Sequence, residues 1–273
     1  MSRFFFSLAG LLSALVAAYD AKMPLYVLAE NDPGVLAGAA CLDGTPPAYY
    51  YSPATSAALN TTWALHLKGG AWCATAADCL KRSRGMLGSS SVHKGVPTSF
   101  GFSGSVVDPN PRTNPDFAGG HRVILWYCDG GSFAGHRGAP LLVDGTALQL
   151  RGKANLAALL GALRRDRGLG GATEVVLSGG SAGGLAALLH ADAVRGMLPP
   201  RLARYGVAPI SGFFLAHAPR PAAYNGTARS YPAMMADVYV RSLTFSLRGR
   251  AMCHRTGLVS YLSSDRYSVL SAV

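Results

Sequence analysis

The stretch EVVLSGGSAGGLAALLHADAVR, residues 174–195, decides the fold of this chain. It opens with the apolar run 175–177, and such runs of β-branched residues are typical of a buried strand. It closes with leucines at helical spacing among alanines, which are strong helix formers. Between the two lies the pattern G-x-S-x-G at residues 179–183, centred on Ser181. The stretch therefore predicts a strand, a sharp turn and a helix, with a serine at the turn.

A strand–turn–helix unit of this kind predicts that Ser181 is a nucleophile exposed at the turn. The turn needs small neighbours because its backbone is strained and because the strand and helix nearly touch. It places the serine hydroxyl at a helix N-terminus, where backbone N–H groups and the helix dipole favour developing negative charge. A purely structural turn and an anion site are the alternatives. A Walker-type phosphate loop does not fit, because no lysine follows the glycines.

The segments around this stretch continue an alternation of strands and helices. Buried strands are predicted at residues 63–67 and 123–127, and a short edge strand at residues 48–51. Helices are predicted at residues 78–87 and 150–165. This order predicts an α/β fold with a mainly parallel sheet and helices on both faces.

Two strand ends carry groups of chemical interest. The strand at residues 63–67 runs into the small residues of KGGAWC, residues 68–73, which would expose backbone N–H groups as an oxyanion hole requires. His66, inside that strand, is interpreted as a structural residue and not as a catalytic base. Asp129 follows the second strand, either as an available polar group or as a turn-forming residue.

The start of the chain predicts secretion. Arg3 precedes the apolar residues 4–18, which end in small residues, so residues 1–18 are predicted to be a signal peptide. The run is short for a membrane anchor, and charged residues follow it soon. Asn60 and Asn225 lie in glycosylation acceptor tripeptides. We therefore expect a soluble protein outside the cell, without stable membrane insertion.

The five cysteines are expected to form disulfides in an oxidising compartment, not a metal site. Cys73 and Cys79 are near enough in sequence to close a local loop. Cys41 and Cys128 would then form the long-range pair, which leaves Cys253 without a partner.

The formal net charge of +11 comes mostly from arginines scattered along the chain. No basic run with interleaved aromatic residues indicates a nucleic-acid surface. A basic surface would attract polyanions, which outside a cell include acidic polysaccharides. A biased genome composition is the alternative explanation for the arginine content.

Taken together, these motifs resemble the pectin acetylesterase family, which includes the Notum-type carboxylesterases. They occur in the family's order over residues 23–239. The matching pieces are CLDGTPPAY at residues 41–49, LKGGAWC at 67–73, NPDF at 114–117, YCDGGSFAG at 127–135, LRG at 150–152, GGSAGGL at 179–185 and SGFFL at 211–215.

The resemblance implies an α/β-hydrolase-like fold and a secreted Ser-His-Asp esterase that removes acetyl groups from cell-wall pectin, without cofactor or metal. Ser181 matches the nucleophile, and the disulfides Cys41–Cys128 and Cys73–Cys79 match those of the family. Acetylated pectin or another acidic polysaccharide is the expected partner. The oxyanion-hole positions are Gly70, Ala71 and Ala182, and the pocket positions are Trp72, Asp129 and Phe133.

The chain also departs from the family. The family's triad Asp and His lie in its C-terminal third, so we expect an incomplete α/β domain at residues 19–240 and an unmatched tail at residues 241–273. Ala71 stands where plant members usually have Gly, which is tolerable because only its N–H is required. Other replacements are Lys68 for Glu, Gly180 and Ala191 for Cys, and Ile210 for Asp.

A base for Ser181 must come from the remaining candidates. His190 lies about 13 Å along its helix from Ser181 at 1.5 Å per residue, too far to reach the hydroxyl. His217 follows a strand end, whereas His254 and Asp265 lie in the tail; Asp237 is a further candidate for orienting the base. The alternatives to an esterase for pectin are a non-catalytic secreted polysaccharide-binding protein and a carboxylesterase for lipid esters.

Overall fold

The computed structural model describes residues 23–92, 105–214 and 231–242. Several predicted features lie outside these ranges: the signal peptide, Asn225, Cys253, His217, His254, Asp265 and all of the tail beyond Ser242.

Within these ranges a six-stranded sheet forms the centre of the structure, in the order β1-β2-β4-β3-β7-β8. Strands β3, β4, β7 and β8 run parallel to one another, whereas β1 and β2 are antiparallel to their neighbours. All six residues of β3 are buried, as expected for a central parallel strand. The strands of this sheet are β1 (Leu25–Val27), β2 (Ala48–Ser52), β3 (Thr62–Leu67), β4 (His121–Leu125), β7 (Glu174–Gly180) and β8 (Arg204–Ile210).

Helices and a hairpin connect the strands. The leucines of α3 are buried in one core cluster with alternate residues of β3, such as Leu65 and Leu67, and with alanines of α4. The opposite side of β3 contributes Ala64 to a second cluster that includes Val107. The helices are α1 (Pro33–Leu36), α2 (Ala76–Ser83), α3 (Gly152–Asp166), α4 (Ala182–Met197) and α5 (Tyr231–Ser242), and the hairpin strands are β5 (Leu141–Val143) and β6 (Thr146–Leu148).

The prediction of an edge strand at residues 48–51 was wrong in its position. Strand β2 lies between β1 and β4, and its first four residues are buried. The sequence showed no pattern for β1, because three residues are too few to display a period of two. Strand β1 pairs with β2 and covers what would otherwise be an edge, and Tyr26 of β1 stacks on Tyr49 of β2 with ring centroids 5.4 Å apart.

The predicted disulfides Cys41–Cys128 and Cys73–Cys79 are both confirmed. The first joins the segment before β2 to the segment after β4, and the second closes the loop from β3 into α2. None of the helices in the described ranges has the length and apolar character that a bilayer span requires.

Candidate active site

Ser181 lies at the junction of β7 and α4 in a strained backbone conformation, with φ 55° and ψ −120°. A positive φ is unusual for a residue with a Cβ, and it turns the chain sharply from strand to helix. The Ser181 N–H donates to the carbonyl of Ile210 at 2.9 Å, which ties the turn to the end of β8. The residue is exposed to solvent. The structure therefore presents Ser181 as the sequence pattern predicts.

The glycines beside Ser181 are required by backbone contacts. A Cβ on Gly183 would lie 2.0 Å from the carbonyl oxygen of Leu67, at the end of β3. A Cβ on Gly179 would lie 2.1 Å from the carbonyl oxygen of Gly183. A Cβ on Gly69 would lie 2.0 Å from the carbonyl oxygen of Gly180. These distances show that β3, β7 and α4 meet at the turn with no room for side chains.

The loop after β3 lies against this turn and holds the predicted oxyanion-hole residues Gly70 and Ala71. Both have positive φ, 148° for Gly70 and 53° for Ala71. In the described part of the chain neither of their N–H groups donates a hydrogen bond. Ala182 is the first residue of α4, where backbone N–H groups have no partner within the helix. Unpartnered donors thus occur both in this loop and at the N-terminus of the helix that follows Ser181.

Trp72 is linked to the start of α4 through a serine that sequence reasoning missed. The Trp72 indole N–H donates to Ser132 Oγ at 2.7 Å, and Ser132 Oγ donates to the Ala182 carbonyl at 2.8 Å. The Trp72 ring packs edge-on against Phe214, with centroids 5.1 Å apart. Trp72 is half-buried, so of the three predicted pocket residues it is the one with exposed surface.

Asp129 and Phe133 support the neighbouring turn from inside. Asp129 accepts backbone hydrogen bonds from Gly131 at 3.1 Å and Phe133 at 3.2 Å, so the turn-forming alternative is confirmed. Burial raises the pKa of Asp129 to about 6, although the backbone N–H groups and Arg82 act in the opposite direction. Neither Asp129 nor Phe133 has appreciable exposed surface, so neither lines an open pocket.

The structural interpretation of His66 is confirmed. Its Nδ1 lies 2.9 Å from Ser178 Oγ across β3 and β7, and burial together with nearby Lys68 lowers the pKa of His66 to about 4. His190 is also buried, with Nε2 3.3 Å from the Ser132 carbonyl oxygen, and burial lowers its pKa.

Within the part of the chain that the structure describes, no histidine lies in hydrogen-bond contact with the nucleophile position. Among residues 23–92, 105–214 and 231–242, no histidine hydrogen-bonds the Ser181 hydroxyl, and no group of three or more His, Cys, Asp or Glu is arranged to hold a metal. Asp237 lies on α5 and is partly exposed.

Comparison with known proteins identifies the family. The family described as Pectinacetylesterase matches residues 16–237. Pectin acetylesterase 11 of Arabidopsis thaliana is 36% identical over 212 residues, covering 73% of this chain and 52% of that protein. Palmitoleoyl-protein carboxylesterase NOTUM of Homo sapiens is 28% identical over 187 residues, covering 64% of this chain and 34% of that protein. The chain thus spans about half the length, or less, of these curated relatives.

The fold agrees with these relationships. A crystal structure of the Wnt deacylase Notum from Drosophila superimposes with a TM-score of 0.66 at 24% identity, covering 81% of this chain and 61% of that one. This likeness confirms the predicted α/β-hydrolase-like fold. Because the family match extends over most of the described sheet and includes the Ser181 turn, the chain belongs to the pectin acetylesterase family.

Proposed function

We propose that this chain is a secreted carboxylic-ester hydrolase that removes acetyl groups from cell-wall pectin with Ser181 as nucleophile. One observation carries the proposal: the exposed Ser181 lies on a strained turn whose glycines contact the loop of Gly70 and Ala71. A carbonyl oxygen that becomes negative during attack needs backbone N–H donors arranged in advance. Gly70, Ala71 and Ala182 would supply them.

The proposed reaction is acyl transfer in two steps. Ser181 Oγ attacks the acetyl carbonyl carbon and its proton passes to a base. The bond between the carbonyl carbon and the sugar oxygen then breaks, and the base protonates the departing sugar oxygen. Water attacks the acetyl-serine, releases acetate and restores the serine. His217 is our candidate for the base, because it follows β8, whose end is bonded to Ser181 through Ile210.

The charge of the chain supports an acidic polymer as substrate. A net charge of +11 attracts a polyanion such as pectin and raises its concentration near the surface. The half-buried Trp72 is linked to the start of α4 through Ser132, and the exposed part of its side chain would be available to a sugar. The two disulfides agree with a location outside the cell, where the exposed Asn60 is a glycosylation site.

A non-catalytic polysaccharide-binding protein is the second candidate. It is favoured by the histidines of the described residues, none of which reaches the Ser181 hydroxyl. Serine without a base is a poor nucleophile, although an oxyanion hole alone retains some catalysis. This candidate predicts pectin binding that weakens with salt and persists in Ser181→Ala.

The two candidates are separated by acetate release from acetylated pectin, measured on the secreted 273-residue chain. Ser181→Ala is compared with Ser56→Ala, which alters a serine before β3, near the N-terminal ends of the parallel strands, whereas Ser181 follows the C-terminal end of β7. Hydrolysis that persists in Ser56→Ala and disappears in Ser181→Ala supports the esterase. Pectin binding without acetate release in the folded wild type refutes it. Parallel assays with acetyl and octanoyl esters distinguish a pectin esterase from a lipid-ester carboxylesterase.

A further inference from the structure

The conformation of Ala71 needs an explanation in its surroundings. Its φ of 53° lies in the left-handed region, which costs a residue with a Cβ about 1–2 kcal/mol. Such conformations persist only where the surrounding structure determines them. Ala71 is itself exposed, so packing of its methyl group does not hold it in place. The carbonyl groups on either side of Ala71 supply the constraint.

Arg82 of α2 holds the first of these carbonyls. Its Nη2 donates to the Gly70 carbonyl at 2.8 Å. Because the peptide bond is planar and trans, the Ala71 N–H points in the direction opposite to the Gly70 carbonyl. Arg82 is itself positioned, since its Nε donates to the Leu87 carbonyl at 3.1 Å and the Cys73–Cys79 disulfide anchors α2 to the loop. The position of Arg82 thus sets the direction of the Ala71 N–H.

Tyr127 holds the second carbonyl. Its hydroxyl donates to the Ala71 carbonyl at 2.8 Å and accepts from the Ser132 N–H at 3.0 Å. Burial raises the pKa of this fully buried tyrosine, so the hydroxyl stays protonated and continues to donate. The Arg82 guanidinium lies over the Tyr127 ring, 5.0 Å from its centroid, so the two side chains that hold the loop also contact each other.

We propose that Arg82 and Tyr127 are positioning residues that hold the Ala71 N–H in line with the carbonyl oxygen of a substrate bound at Ser181, a role that rests on the esterase function proposed above. Neither side chain touches the reacting atoms. Each acts through the backbone of the loop, by fixing the peptide planes before and after Ala71.

Ser132 extends this arrangement to the helix side of the site. Its N–H donates to the Tyr127 hydroxyl, and its Oγ donates to the Ala182 carbonyl. The loop donor at Ala71 and the helix donor at Ala182 are therefore connected through one buried turn. Removal of the Tyr127 hydroxyl should change the direction of the Ala71 N–H and also its distance from the Ala182 N–H.

Tyr127→Phe is the sharpest test, because it removes one oxygen and keeps the buried ring. Tyr205→Phe is the matched control, since the Tyr205 hydroxyl also donates to a backbone carbonyl, that of Ala191, at 2.8 Å, away from the loop. We expect kcat on acetyl esters to fall about ten- to hundredfold in Tyr127→Phe, because small misplacements of catalytic groups have effects of this size. KM should change less than about threefold, because the donor acts mainly on the transition state. Arg82→Met should lower kcat by a similar factor. The decrease in kcat of the double variant should be smaller than the product of the two single decreases, because both side chains act on Ala71.

Hydrogen exchange of the backbone provides a readout that does not need turnover. Within residues 68–73 the hydrogen-bonded N–H groups of Lys68 and Cys73 should exchange about tenfold faster in Tyr127→Phe than in wild type, and at the wild-type rate in Tyr205→Phe. If the wild type releases no acetate, the proposed esterase fails, and the exchange rates alone decide the role of Tyr127. Unchanged exchange of residues 68–73 in Tyr127→Phe overturns the proposal, as does a kcat within twofold of an active wild type.

Discussion

Gly183→Ala tests the contact on which the Ser181 turn depends. Gly183 is the second residue of α4, and in an exposed helix alanine is favoured over glycine by about 1 kcal/mol. Here the new Cβ would lie 2.0 Å from the Leu67 carbonyl oxygen and 2.9 Å from the Lys68 carbonyl carbon. Carbon and oxygen atoms need about 3.3 Å, so β3 and α4 must separate by roughly 1 Å. Both obstructing atoms belong to the backbone and have no alternative rotamer.

The magnitude follows from two opposing terms. Overpacking of this kind costs about 3 kcal/mol, and the gain in helix propensity offsets about 1 kcal/mol of it. We expect a net loss of about 2 kcal/mol in the free energy of unfolding, or roughly 4–8 °C in Tm for a protein of this size. Gly196→Ala is the matched control on the same helix, because its Cβ would meet no atom within 4 Å. That change should stabilise the protein by up to about 1 kcal/mol.

The free energy of unfolding and the Tm of both variants are measured by urea and thermal unfolding of the purified protein. The loss of helix is followed by far-ultraviolet circular dichroism. We expect the free energy of unfolding to fall in Gly183→Ala and to rise in Gly196→Ala. If Gly183→Ala is as stable as Gly196→Ala, then β3 and α4 do not meet in backbone contact. The close approach of Gly183 to the Leu67 carbonyl oxygen at the Ser181 turn would then be refuted.

Three further predictions concern stability. Replacing Cys41 and Cys128 by alanine opens a crosslink with a sequence separation of 87 and should lower the free energy of unfolding by about 4–5 kcal/mol. Replacing Cys73 and Cys79, with a separation of 6, should lower it by about 2 kcal/mol. Equal losses in urea unfolding would contradict this prediction. The pKa of Asp129 is raised to about 6, so its contribution to stability is present below pH 3.8 and is lost as the pH rises through 6. The pKa of His66 is lowered to about 4, so its contribution to stability is present above pH 6.5 and is lost as the pH falls through 4. Between pH 4 and 6 Asp129→Asn should therefore make urea unfolding more acid-sensitive and His66→Gln less so, each by up to about 3 kcal/mol, and parallel pH profiles would argue against both shifts. Ala71→Gly should raise the free energy of unfolding, because glycine tolerates φ 53°. Ala193→Gly on the exposed face of α4 should lower the free energy of unfolding by about 1 kcal/mol, and a fall in both variants on urea unfolding would show that Ala71 is not strained.

The strands and helices around Ser181 were predictable because their signals are local. Alternating and helical spacing of apolar residues predicted β3, β4, β7, α3 and α4 to within a few residues of their observed bounds. The edge position of β2 was not predictable in this way. Whether a strand lies at an edge depends on what pairs with it, and β1 shows no pattern of its own over three residues.

The same division applies to the candidate site. Ser181, Gly70, Ala71 and Ala182 were found from motifs, because a sharp turn and a close backbone approach each demand particular residue types in consecutive positions. Arg82 lies in none of the motifs, and Tyr127 and Ser132 lie in YCDGGSFAG at residues 127–135 without a local pattern that gives them a role. The Tyr127 hydroxyl and the Ala71 carbonyl that it contacts lie 56 positions apart in the chain, so no short-range pattern marks the pair.

The amino-acid sequence by itself therefore determined the strand–turn–helix unit, the cysteine pairs and the family. Each of these depends on residue identity at short or fixed spacing. The tertiary structure alone decided that β2 is an interior strand, that Asp129 and Phe133 are buried beneath a turn, and that Arg82 and Tyr127 hold the loop of Ala71. These features depend on which strands become neighbours and on where hydrogen-bond donors meet acceptors across the sheet, and no periodicity along the chain encodes that meeting.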